Sequence, residues 1–142
     1  MSHLCTIHTQ LKSIPDIARA CTALGWTLYT GGRVRYYYGE GETCDYTITF
    51  GGADESLAST YNLGLQRQPD GTYKVLCDNS MRGPVRRDGT LAGETPRILS
   101  TLKHQYAKAL VRTQAHRLGA RVVEEQLADG TVRMRLSGGR FA

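Results

Sequence analysis

Residues 95–119, TPRILSTLKHQYAKALVRTQAHRLG, read as one amphipathic helix of about 23 residues, opened by Thr95 and Pro96 and stopped by Gly119. Leu99, Leu102, Tyr106, Ala107, Leu110, Val111 and Leu118 fall on one side. Arg97, His104, Lys108 and Arg112 line an adjacent face at spacings of seven and four. A helix of this length needs an apolar surface to bury against. The segments around it supply one.

C-terminal to the helix, residues 122–127 and 131–136 alternate around Ala128-Asp129-Gly130 and read as a hairpin, with Val132, Met134 and Leu136 on one face and Arg133 and Arg135 on the other. N-terminal to it, residues 61–65 and 73–77 flank a Q-P-D-G turn and form a second hairpin. Residues 33–38 and 44–50 read as two strands around the turn G-E-G-E, with Cys44, Tyr46, Ile48 and Phe50 in one phase. Residues 3–11 alternate as a half-buried strand. A short helix follows, with Ser13 as N-cap, Pro15 and Asp16 in its first turn, and apolar Ile14, Ile17, Ala18, Cys21 and Leu24. Gly25 ends it, and residues 26–29 begin the next strand. Hairpins dominate and helical crossovers are few. The expected fold class is therefore α+β: a mostly antiparallel sheet of about eight strands with two helices packed on one face. At 142 residues this is one domain, 1–142, with a long aperiodic loop at residues 79–94 that is either mobile or meets a partner.

Charge is unevenly spread. Residues 1–81 carry six Lys/Arg against eight Asp/Glu, and residues 82–142 carry twelve against five, within a net charge of +5. Arginine outnumbers lysine fourteen to four, and its planar fork suits carboxylate and phosphate. The basic C-terminal part invites an anionic partner, either an acidic protein face or nucleic acid. No apolar run is long enough for a membrane span or a secretory signal, so no membrane partner is expected and the compartment expected is intracellular and reducing, the cytoplasm.

Reactive chemistry finds little support. His3, Cys5 and His8 cannot all face one ion from a strand, and Cys5, Cys21, Cys44 and Cys77 lack the close pairing of zinc ligands, so no metal and no cofactor is expected. The cysteines read as buried small hydrophobes; a thiol nucleophile would need His104 or His116 beside one of them. The segment 39–43, GEGET, carries two glutamates, no lysine and no following helix, so neither dipole nor side chain would attract phosphate, and it reads as a hairpin turn. The catalytic set is therefore empty.

The opening MSHLCTIHTQL, the helix end ALGW, the segment RYYYG, the hairpin YNLGLQRQPDGTYKVLCD, and the tail QYAKALV with GARVVEEQLADGTVRMRL resemble the hypothetical chloroplast reading frame thirty-five family. That family is a small domain of unknown function in plastids, cyanobacteria, other bacteria and phages. The resemblance spans nearly the whole chain. It implies no established activity or cofactor, and its members' encoding near AAA-type ATPases implies a subunit or adaptor. The chain departs from the family pattern at residues 80–94, which lack its Trp-rich character, and in its ending GGRFA.

The expected function is thus binding. A protein partner is contacted through Arg82, Arg86 and Arg87 in the loop at residues 81–88, Arg97, His104, Lys108 and Arg112 on the helix, and Arg133 and Arg135 on the last strand. An AAA-type ATPase and self-association are the candidate partners. The alternative is single-stranded RNA or DNA, tracked by the same cations and stacked on Tyr36, Tyr37 or Tyr38.

Overall fold

The computed structural model describes residues 4–8, 11–36, 39–50, 62–78, 95–129 and 132–139. The expectations placed on Arg82, Arg86, Arg87, Tyr37, Tyr38 and the loop at 79–94 lie outside these residues. In chain order the elements are β1 (Leu4–His8), α1 (Ile14–Leu24), β2 (Thr27–Thr30), β3 (Arg33–Tyr36), β4 (Gly39–Thr43), β5 (Tyr46–Thr49), β6 (Asn62–Arg67), β7 (Tyr73–Asp78), α2 (Thr95–Leu118), β8 (Arg121–Gln126) and β9 (Val132–Ser137). All strand pairs are antiparallel, and the α+β class expected from sequence holds.

The strands do not form one sheet of eight. Among the described residues there are nine, in a five-stranded sheet of order β1-β7-β6-β5-β2 and two separate ribbons, β3-β4 and β8-β9. The extra strand is β4: the GEGET segment, expected as a turn, pairs along β3 with Gly39 opposite Tyr36 and Thr43 opposite Arg33. Strand propensity follows context more than composition, and pairing with β3 overrides the weak preference of Gly and Glu.

Both helices cover one face of the five-stranded sheet. Leu63, Leu65, Ile48, Val75 and Cys77 project from the strands against Ile17, Ala20 and Cys21 of α1 and Leu99, Leu102 and Tyr106 of α2. The sequence pattern of α1 survives in detail. Ser13 Oγ accepts the Asp16 N–H at 3.3 Å, and Gly25 adopts φ 75°, which frees the chain to turn into β2. On α2 the buried line is Leu99, Leu102, Tyr106, Ala109 and Ala115. Ala107, expected on the apolar side, is exposed, and Leu110, Val111 and Leu118 are half-buried. The line turns toward α1, where small Ala20 and Ala109 let the two helices approach closely. Tyr106 fastens the join: its hydroxyl accepts the backbone N–H groups of Lys12 at 2.9 Å and Ser13 at 3.1 Å, ahead of the first turn of α1.

The opposite face of the sheet carries the β3-β4 ribbon. Val34, Cys44 and Leu76 make a second, smaller buried cluster there. Cys44 therefore faces away from Ile48 and Phe50, with which its sequence phase had grouped it, because it sits in the link before β5 begins. Asn62, 3% exposed, holds the ribbon down by accepting from the Arg35 N–H at 2.8 Å and donating to the Arg33 carbonyl at 2.9 Å. Gly64 makes the approach possible, since a Cβ at that position would collide with Cys44 Sγ and Val34 Cγ2.

Candidate functional site

The α1-α2 seam opens into a groove of about 240 Å³. Ala20 and Ala23 of α1 and Ala109 of α2 form its apolar floor, and Arg19, Gln105, Lys108 and Arg112 surround it. The helical spacing of the two chains of residues explains the composition: i and i+4 on α2 bring Lys108 and Arg112 to one wall, and Arg19 stands on the facing wall. The volume is below the range usual for nucleotide-sized ligands and suits a carboxylate side chain or a small anion.

The cations are held in place. Glu124 of β8 takes Lys108 Nζ on Oε1 and Arg112 Nη2 on Oε2, each at 2.6 Å. The Lys108 hydrogen bond leads the effects that draw the Glu124 carboxyl below its usual range, and the Lys108 and Arg112 charges add to it. On the other wall, Arg19 Nη1 donates to Asp16 Oδ1 at 2.7 Å and to Thr113 Oγ1 at 3.0 Å. Thr113 Oγ1 in turn donates to Asp16 Oδ1 at 2.6 Å. Asp16 is 3% exposed. Burial works to raise its pKa, but the hydrogen bonds from Thr113, Ser13 and Arg19 and the Arg19 charge outweigh it and leave it lowered.

The residues expected to form one basic surface divide into two groups. Lys108 and Arg112 meet at the groove, while Arg97 and His104 are exposed further toward the start of α2. Arg133 and Arg135 occupy the other side of the β8-β9 ribbon: Glu124 lies opposite Met134 on the half-buried face, and successive residues alternate. Arg135 Nη2 contacts Glu125 Oε1 at 2.5 Å on that outer side. Tyr36 ends β3, but its side chain is outside what the structure describes.

Several participants were not singled out from sequence. Arg19 could have been noticed through its i, i+3 spacing from Asp16; Glu124 could not, because its reach to α2 depends on where the ribbon docks. Exposed Lys103 and Arg117 extend the cationic character of α2. The thiols stay apart from this surface. Cys21 is buried and desolvation pushes it up to about 12; burial, with Glu42 and Asp45 nearby, also raises Cys44. His104 and His116 are exposed on α2. Among the described residues, no three His, Cys, Asp or Glu side chains gather as metal ligands would, and no helix is long and apolar enough to cross a membrane.

A family model described as a protein of unknown function, DUF1257, matches residues 20–135. The chain belongs to the DUF1257 family. No curated protein and no solved structure matches it. The DUF1257 match takes in α2, β8, β9 as far as Arg135, and every groove residue except Arg19.

Proposed function

We propose that this DUF1257 protein is a binding subunit, an adaptor within a larger assembly, that turns the cationic side of α2 toward an acidic partner protein, with the arginines of β9 as a second basic face on the outer side of the ribbon. The observation that carries the reading is the composition of α2: its 24 residues include Arg97, Lys103, Lys108, Arg112 and Arg117 and no Asp or Glu. A solvated helix ordinarily mixes both signs to gain i, i+4 pairs; here Glu124 answers Lys108 and Arg112, and the charges of Arg97, Lys103 and Arg117 are left for a partner.

A carboxylate-bearing partner fits better than a phosphate backbone. The cations already hold carboxylates, Lys108 and Arg112 on Glu124 and Arg135 on Glu125, so the geometry for that ligand exists within the chain. Within DUF1257, the sequence blocks quoted above support placement in the hypothetical chloroplast reading frame thirty-five family. That placement favours an AAA-type ATPase as the first partner to try, in an intracellular compartment.

Affinity capture from the native host with wild-type protein and with the exposed-face variant Arg97→Glu/Lys103→Glu tests this. A discrete acidic partner retained by wild type and lost by the variant is expected; a purified sample that turns over a small molecule and retains no partner would overturn the reading. Single-stranded RNA and DNA, titrated at 50 and 200 mM salt, test the competing reading. A strand contacted at five phosphates must lose roughly 100-fold in affinity across that interval.

A further inference from the structure

The C-terminal ribbon is an isolated pair of strands. Among the described residues β8 hydrogen-bonds to β9 alone, so its far edge presents backbone N–H and C=O groups with no ladder partner. Val123, 45% exposed, stands near the middle of that strand and is, with Tyr29, one of two large apolar side chains exposed among the described residues. Arg121 and Glu125 flank it at two residues on either side and share its outer face.

We propose that β8 pairs antiparallel with β8 of a second copy of this chain about a two-fold axis through Val123, making a four-stranded sheet of order β9-β8-β8-β9. On the outer face the sequence RVVEE at residues 121–125 is self-complementary in that register, while on the inner face Val122 falls opposite Glu124. Arg121 falls opposite Glu125 of the second copy, Val123 opposite Val123, and Glu125 opposite Arg121 of the second copy. The two neighbouring registers with the same faces aligned do worse. An axis through Val122 sets Arg121 against Val123, and an axis through Glu124 sets that glutamate against itself. Glu125 already receives Arg135 on Oε1, and a carboxylate has a second oxygen to receive Arg121 from the other copy. The axis also joins the two outer faces, so that Arg133 and Arg135 of both copies lie on one side of the sheet. The isologous contact closes on itself and stops at two copies.

The test is sedimentation equilibrium on the full chain, with Arg121→Glu and Glu125→Lys made separately. Wild type is expected to show a concentration-dependent dimer, and each variant alone to weaken it by about tenfold or more, through two like-charge contacts per interface. An equimolar mixture of the two variants is expected to restore dimers, because every cross-copy contact is then Glu against Lys or Glu against Arg. The mixture also separates a lost interface from a lost fold. A wild-type chain monomeric at several hundred micromolar, a dimer indifferent to both variants, or a mixture that stays monomeric would each overturn the pairing. The outcome is independent of whether an acidic partner is found.

Discussion

The five-stranded sheet with its helices and the β8-β9 ribbon are built from the same kinds of residue and are held by different forces. In β6 the first four residues, Asn62 to Leu65, are buried, and Leu63 and Leu65 are fully removed from water. In β8 and β9 no described residue is buried; β9 alternates between half-buried and exposed, β8 is exposed except at Val122 and Glu125, and the attachment to α2 includes Glu124 bridging Lys108 and Arg112. Apolar burial scales with area and supplies most of folding stability, whereas exposed ion pairs contribute little. The sheet body therefore carries the stability, and the ribbon is a charged appendage available for contact.

Truncating matched apolar residues in the two regions should break or sharpen that contrast most strongly. Ile48→Ala, at a fully buried position, should cost about 3 kcal/mol in urea unfolding, and Val122→Ala in the ribbon less than about 1 kcal/mol. Equal losses would mean that the ribbon shares the core. Next in size, Gly64→Ala should cost about 2 kcal/mol, because the methyl group must push Val34 and Cys44, and with them the β3-β4 ribbon, away from the sheet. A neutral result would show that this ribbon sits loosely.

Asp16 gives a smaller effect with a distinctive pH dependence. Its folded pKa lies below the ordinary 3.8, so the stabilisation it supplies is present above that value and disappears as the pH falls through the folded one. Asp16→Asn should cost about 1 kcal/mol at pH 7, and the gap between wild type and variant should narrow as the pH falls below 3.8. A gap that does not narrow with falling pH would place the effect in packing instead of charge. Smallest of all, Glu124→Gln should leave the urea midpoint at pH 7 essentially unmoved while strengthening the binding of an acidic ligand, since it frees Lys108 and Arg112.

The sequence disclosed the parts of this fold that are written in local chemistry. Ser13, Pro15 and Gly25 mark the ends of α1, the Q-P-D-G turn marks the β6-β7 hairpin, and the heptad-like run of α2 marks its length. It concealed what depends on distant neighbours. β4 looks like a turn until β3 lies beside it, Cys44 shares a phase with Ile48 until the chain bends between them, and Ala109 replaces Ala107 on the buried line only because α1 approaches from that side. The candidate surface behaved similarly. Lys108 and Arg112 were visible as i, i+4 neighbours, but their partition from Arg133 and Arg135 arises from the docking of the ribbon, which no spacing in the sequence encodes.

The central claim is that α2 and its neighbouring cations receive an acidic protein. Fluorescence anisotropy of a labelled twenty-residue Glu-rich peptide, titrated with wild type and with Arg97→Glu/Lys103→Glu, tests it directly. Saturable binding that weakens with salt and falls at least about tenfold in the variant is the expected result. Equal binding by both proteins, or none by either, would contradict it.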